Sequence, residues 1–384
     1  MRNISVTICV MVIGLCLINS PVVLAECPSA DLTGDCFVDY EDFALMGGQW
    51  LNGYDCNDLT EMASQWLTGN PNIPDDMTYI LGGEFEMGDH FEEGGSGELP
   101  VHAVLVDSFF MSKFEITNQQ YCDYLNSALG SGSIYLSSNI VYGTGNNQGY
   151  CDTSASSTFS QIDYSGGAFS ARTKDGRDMS DDPMVLVSWY GAVAYCNWRS
   201  SEEGYESCYN LSTWECNFSK NGYRLATEAE WEYAARGGEH DPYYRYPWGD
   251  SIDPNQANYL SSGDPYETGT WPYTTPVGFF DGQLHYKIDF GWPGSQNNYQ
   301  TSDGSNGYGL YDMAGNVFEW CNDWWDLDYY DTSPYDNPTG PASGTYRVLH
   351  GGCHCVLTNH CRVSYRFNVA PDGRLDYIGF RVCR

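Results

Sequence analysis

An α+β fold, rich in loops and packed on aromatic rings, is what this chain predicts, and three observations predict it. The 384 residues include 42 Gly, 31 Tyr and 12 Trp, which favours turns and ring packing over a helical bundle. Two stretches, Tyr79 to Met87 and Val101 to Phe110, alternate in strand fashion. Three others, Asn118 to Asn126, Ser188 to Arg199 and Thr227 to Arg236, read as helices. The length suffices for one large domain and one small one.

The N-terminus reads as a signal peptide over residues 1–25. Arg2 supplies the positive start, Ile4 to Ile18 the apolar stretch, and Val23-Leu24-Ala25 a small-residue cleavage site. The apolar run is short for an anchor and no stop-transfer charges follow, so no membrane span is expected after cleavage. Glu26 before Cys27 disfavours a lipoprotein. A secreted, cell-surface or periplasmic protein is therefore expected. Removal of Cys9 and Cys16 leaves an odd number of the 15 cysteines in an oxidising compartment, where disulfides are the default. Cys208 and Cys216, flanking a short polar loop, are the leading pair. One thiol must stay free or pair between chains. A net charge of −34 excludes nucleic acid, which needs a basic face.

Residues 26–68 form a separate acidic unit. Asp31, Thr33, Asp35, Asp39 and Asp42 fall at the ligand positions of a Ca²⁺ loop, with the Phe37 carbonyl between them. Cys36 stands where glycine makes the sharp turn, and Asp42 replaces the final glutamate. The string Asp42 to Leu51 recurs as Asp58 to Leu67, with Asp, Met, Gln, Trp and Leu in register. Such tandem loop-helix units resemble a dockerin module, which implies a cohesin-like partner. One Ca²⁺ is expected, because the second loop, Asn52 to Asp58, is too short for a full site. A plain acidic helical hairpin is the alternative. Cys36 and Cys56 sit at matching places in the two loops and could cross-link them. Residues 69–76 read as a Pro/Asn linker, and the main domain runs over 77–384.

Within that domain, Thr227 and Glu230 make a capping box. Glu228, Glu230 and Glu232 read as capping and solvated residues of an amphipathic helix. Residues 130 to 182 show little periodicity, and the C-terminal third reads as turns and short strands. No P-loop, Rossmann or nucleophile-elbow pattern appears.

The most informative stretch is Asn306 to Trp325, where Asp312, Asn316 and Glu319 sit in a Gly-rich bend among aromatic residues. Hard oxygen ligands and free carbonyls there suit Ca²⁺, while the plain alternative is an aromatic-rich turn on a core. The block resembles the G-L-Y-D-M-x-G-N-V-W-E-W signature of the formylglycine-generating enzyme family, the sulfatase-modifying factors. Further motifs keep the family's order. They are G-G-E-F-E-M-G from Gly82, F-E-I-T-N from Phe114, V-S-W-Y-G-A-V-A-Y-C-N-W from Val187 and Y-R-L-A-T-E-A-E-W from Tyr223. Y-P-W-G-D at Tyr246, T-T-P-V-G at Thr274, H-G-G at His350 and I-G-F-R at Ile378 follow.

The resemblance implies an irregular, loop-rich sulfatase-modifying-factor fold, C-type-lectin-like, preceded here by the small helical dockerin-like module. It implies calcium held by Asp312, Glu319 and the carbonyls of Gly315 and Val317. A second calcium site would begin at Asn258 and Tyr259, with its remaining ligands between Asp264 and Trp271. It also implies a copper-dependent oxidation of a cysteine in client sulfatases to formylglycine.

The segment that would carry this oxidation departs from the family. The family pattern is G-G-S-x-x-C-x-x-x-x-C, and this chain reads G-G-C-H-C-V-L-T-N-H-C from Gly351. Cys361 falls on the second cysteine and Val356 on the first. Cys355 lies one residue early, and Cys353 replaces the serine. A one-residue slip turns an extended side chain to the opposite face. Cys361 would then be the lead thiol, with Cys355 or Cys353 as partner. His350, His354 and His360 add imidazoles that suit Cu(I) or Zn²⁺. A disulfide from Cys353 or Cys355 to Cys361 is the plain alternative. Two functions stay open: the copper-assisted oxidase, and a non-catalytic extracellular binding or scaffold protein on the same fold.

Overall fold

The computed structural model describes residues 74–238 and 242–384. The chain divides into residues 1–75 and 76–384, and the elements below belong to the second unit. The signal peptide and the dockerin-like module, with Asp31, Thr33, Asp35, Phe37, Asp39, Asp42 and the Cys36/Cys56 pair, lie outside the described residues. No helix among the described residues is long and apolar enough to cross a membrane.

The domain opens with two nested antiparallel pairs. β1 (Met77–Ile80) pairs with β4 (Phe109–Ser112), and β2 (Gly83–Met87) pairs with β3 (His102–Val106). Phe85, Met87, Val104 and Val106 turn inward at alternate positions, which gives this stretch its readable period of two. Helix α1 (Asn118–Gly130) starts at Thr117, whose hydroxyl accepts from the Gln120 amide while the Gln120 side chain accepts from the Thr117 amide.

The stretch that showed little periodicity is ordered into hairpins. β5 (Ile134–Ser137), β6 (Ile140–Gly143) and β7 (Gly149–Asp152) form a meander. β8 (Ile162–Ser165) pairs with β9 (Ala168–Ala171), and β10 (Thr173–Lys174) with β11 (Arg177–Asp178). Three of the connections are two-residue turns with both residues at positive φ: Ser138-Asn139 (50° and 62°), Gly166-Gly167 (63° and 90°) and Asp175-Gly176 (53° and 80°). That backbone matches the twist of paired strands. The strands are too short to show alternation, so turn chemistry was the usable signal there.

Helix α2 (Trp189–Glu202) is capped by Ser188, whose hydroxyl accepts from the Gly191 amide at 3.0 Å. Helix α3 (Glu228–Ala235) is capped by Thr227 in the expected box with Glu230. A single turn, α4 (Lys287–Phe290), lies between β12 (Leu284–Tyr286) and β13 (Asn298–Gln300).

The central sheet runs in the order β16 (Phe367–Val369), β15 (Arg347–His350), β14 (Phe318–Trp324), β17 (Ile378–Gly379). β14 and β17 are parallel, and the other pairs are antiparallel. β14 is buried on both faces, so it shows no alternation. On one face Trp231 of α3 stacks on His350 at 4.8 Å between ring centres and donates from its indole N–H to Glu319 at 2.7 Å. On the other, the indole of Trp320 donates to the Val187 carbonyl at 3.0 Å.

The acidic residues of α3 are not solvated; all three are buried and bound. Glu228 accepts from both Arg366 and His350, Glu230 from Arg224, and Glu232 from Arg236 and the Gly88 amide. Burial works to raise Glu228, but the Arg366 guanidinium and His350 outweigh it and hold the carboxyl at about 2. Arg366, 138 positions from Glu228, joins the sequence-local Arg224 and Arg236 in turning what looks like a polar helix face into a buried ionic seam; the Arg366 contact and the burial are what local sequence cannot reveal.

Arg381 donates to both oxygens of Glu319, at 2.6 and 2.7 Å, with both side chains fully buried. Removing one partner strands the other charge. Arg381→Ala is expected to lower stability by about 3–5 kcal/mol, read as a reduced urea midpoint with an unchanged slope.

Candidate functional site

The candidate site is the loop that leaves β15. Gly351 and Gly352 both take positive φ, 94° and 78°. A Cβ on Gly352 would stand 2.6 Å from the Cys361 sulfur, so only glycine lets that sulfur pack where it does. The Val356 amide then donates to the Cys353 carbonyl at 3.1 Å, and the chain turns at His354-Cys355. A short 3₁₀ turn, Thr358–His360, brings Cys361 back beneath it.

Cys361 is a free, fully buried thiol. It packs with Tyr246, Ala257, Tyr259 and Ala314, and Val356 lies against the same cluster. Burial pushes the thiol up to about 12, and the Cys353 amide offsets this only in part. The sulfur is therefore protonated near neutrality, the opposite of an activated thiolate.

Its expected partners are elsewhere. Cys353 and Cys355 form a disulfide with each other, where the sequence had suggested a bond from one of them to Cys361. The turn at residues 353–356 explains this, since it folds positions two apart onto one another. Cys208 and Cys216, the leading pair from sequence, are both free thiols. The three histidines also separate. His350 belongs to the core beneath Trp231, and His360 sits edge-on to Tyr365 at 4.6 Å. His354 is buried, with Nδ1 3.1 Å from the Asn316 carbonyl and its ring 4.7 Å from that of Trp271. Burial lowers His354 to about 4, so it is neutral. Copper at the family's position does not fit these residues: Val356 offers no ligand, and the two nearby sulfurs are bonded to each other.

The residues expected to hold calcium cluster around the bend at Gly315. Asp312 and Asn316 both lie in the left-handed region, φ 58° and 55°, and curl the bend around Gly315. Gly315 approaches Asn258 so closely that a Cβ would meet its carbonyl at 2.3 Å. The bend thus joins the two expected sites, with the Asn316 amide donating to the Asn258 carbonyl at 2.8 Å. Asp312 accepts from the Gly278 amide at 2.6 Å. Val317 is buried, and its amide donates to Glu115 at 3.2 Å. Glu319 is already engaged by Arg381 and Trp231, so it is a less open ligand than the sequence implied.

Sequence reasoning missed Glu115. It is buried, accepts from the Asn316 side chain at 2.6 Å, and is raised well above the usual range by burial and by Asp312 and Glu319. Its signal was present: a lone glutamate inside the apolar Phe114-Glu115-Ile116. Burial likewise raises Asp312 to about 6. Three buried carboxylates thus surround the single guanidinium of Arg381. Nearby, Oδ1 of Asn258 is buried without a partner, while the Tyr259 carbonyl accepts from the Ser262 amide at 3.0 Å. A surplus of buried carboxyl groups and an unused hard oxygen fit a cation such as Ca²⁺, which would favour the charged forms of those groups.

Irregular loops hung on a small central sheet, with an acidic bend and a closed cysteine loop, define the class. The chain belongs to the sulfatase-modifying factor family: the Sulfatase-modifying factor enzyme 1-like domain matches residues 64–384. It is similar to the formylglycine-generating enzyme of Thermomonospora curvata, 33% identical over 325 residues, covering 79% of this chain and 92% of that one. It is equally similar, 33% identical over 311 residues, to the serine/threonine-protein kinase pkn1 of Chlamydia caviae. That match covers 80% of this chain but only 38% of the kinase's length. Among solved structures, PvdO from Pseudomonas aeruginosa shares the fold, with a TM-score of 0.52 at 24% identity over 81% of this chain and 95% of that one. Members with different names thus share this domain.

Peptide mapping without reduction is expected to recover Cys353 and Cys355 as a bonded pair. Cys361 should resist alkylation in folded protein and react only after denaturation.

Proposed function

We propose that this chain is an exported, calcium-stabilised binding member of the sulfatase-modifying factor family that docks client polypeptides without oxidising them. The carrying observation is Cys361, sealed beside Val356 with no second thiolate to share an ion. The signal-peptide-like start supports export. The dockerin-like sequence supports tethering to a cohesin-like partner, which would place the domain beside a sulfatase or another extracellular protein. The surplus of buried carboxyl groups around Asp312 supports one structural Ca²⁺, held by Asp312 and the carbonyls of Gly315 and Val317 with Glu319 behind. Asn258 and Tyr259 would begin a second site. Such ions would fix loops that carry few regular hydrogen bonds.

The oxidase remains the second reading, favoured by the match across nearly the whole formylglycine-generating enzyme of Thermomonospora curvata. A peptide bearing C-x-P-x-R, incubated in air with the Cu(I)-exposed full chain, separates the two by mass spectrometry. The expected result is no aldehyde. Turnover that disappears in Cys361→Ser would sink the binding reading. Val356→Cys is expected to create a Cu(I) site that needs Cys361, measured by competition with a chromophoric chelator.

Millimolar Ca²⁺ is expected to raise the melting temperature of the chelator-treated chain. Asp312→Asn should abolish most of that rise, about 2 kcal/mol or more if free Ca²⁺ stands well above its dissociation constant.

A further inference from the structure

The turn after β15 holds chemistry that a binding role leaves unused. The two sulfurs of Cys353 and Cys355 and one ring nitrogen of His354 lie within 4.8 Å of one another. Among the described residues this is the only such trio of side-chain metal donors, and Cys361 is not part of it. The disulfide in the trio spans a single intervening residue. A loop that short constrains the unfolded chain far less than a long bridge, so stapling the fold is the least of its uses.

His354 is set up as a ligand rather than as a charge. Its ring is buried between the Asn316 carbonyl and Trp271, and Nε2 has no hydrogen-bond partner. A carbonyl beside one ring nitrogen fixes the tautomer and leaves the other nitrogen's lone pair uncommitted, as in metal-bound histidines. Cys353 is fully buried, whereas Cys355 is half-buried, so the trio opens to solvent on one side.

We propose that Cys353, His354 and Cys355 bind one Zn²⁺ once the bond between the two cysteines is reduced, making this turn a redox-gated zinc site. A dithiol supplies the two electrons and two protons that convert the disulfide to two thiols, and is itself oxidised to a disulfide. Zn²⁺ then displaces both thiol protons. Two thiolates and one imidazole make a three-ligand set whose fourth position is open to water. Exchange with an oxidised disulfide reverses this: the incoming disulfide takes the two electrons and, with two protons, leaves as a dithiol, while the Cys353–Cys355 bond closes and the ion is released. The site does not depend on whether Cys361 takes part in any oxidation.

The test is metal titration of the full chain, oxidised or reduced with a phosphine and desalted without air, using Co²⁺ as an optical probe and Zn²⁺ as competitor. The expected result is one Co²⁺ per chain with thiolate charge-transfer bands, in the reduced protein only, displaced by Zn²⁺. Cys355→Ser should abolish it, and Cys361→Ser and Cys208→Ser should keep it. His354→Gln should weaken Zn²⁺ by about tenfold or more while both thiols still form. Near-ultraviolet circular dichroism checks that each variant is folded. Binding by the oxidised protein, binding that survives Cys355→Ser, or binding lost in Cys361→Ser would overturn the proposal. So would Cu(I) uptake by a reduced protein that excludes Zn²⁺.

Discussion

The buried pair between Arg381 and Glu319 is the constraint on which the domain hangs. Arg381 stands near the end of the described chain and Glu319 on the central strand β14. The same guanidinium donates to the carbonyls of Ser112 at 3.1 Å and Tyr311 at 2.9 Å. One side chain thus fixes the end of the first strand layer, the entry to the acidic bend and the middle of the sheet. Trp231 closes the arrangement from α3. In a fold with so little regular structure, buried points of this kind, like the one where Arg366 and His350 meet Glu228, bond distant segments together.

That constraint also orders the candidate site. β14 and β15 are registered through Glu319 opposite His350, and His350 is the last residue before the two glycines. The cysteine loop therefore leaves the sheet at a position set by the buried ionic layer beneath it. The acidic bend is held by the same layer, through Glu115 and Asn316. The cysteine loop and the carboxylate cluster share one support.

The sequence made some of this legible and hid the rest for physical reasons. Helix starts were readable because Thr227 and Ser188 act within one turn of themselves. β2 and β3 were readable because one face of each is buried. Asp312, Gly315 and Asn258 were locatable through the family likeness, and the structure brings them together. Glu115 and Arg381 were not found as parts of the site, because their roles exist only through contacts with residues about 200 and 60 positions away. Glu228 misled for the same reason, its partner Arg366 lying 138 positions away, whereas Glu230 and Glu232 pair with Arg224 and Arg236 only six and four positions away and misled because their burial depends on packing. The cysteine pairing was missed because an extended-chain argument was applied to a segment that turns.

The three tight hairpins between α1 and α2 carry a different consequence. Each closes on two residues at positive φ, and none of those residues is bonded to Arg381, Glu319, Glu115 or Asp312. Such modules can change their outward side chains without disturbing the sheet that positions everything else. The domain thus separates a part that must stay fixed from a part whose outward side chains can vary without moving it.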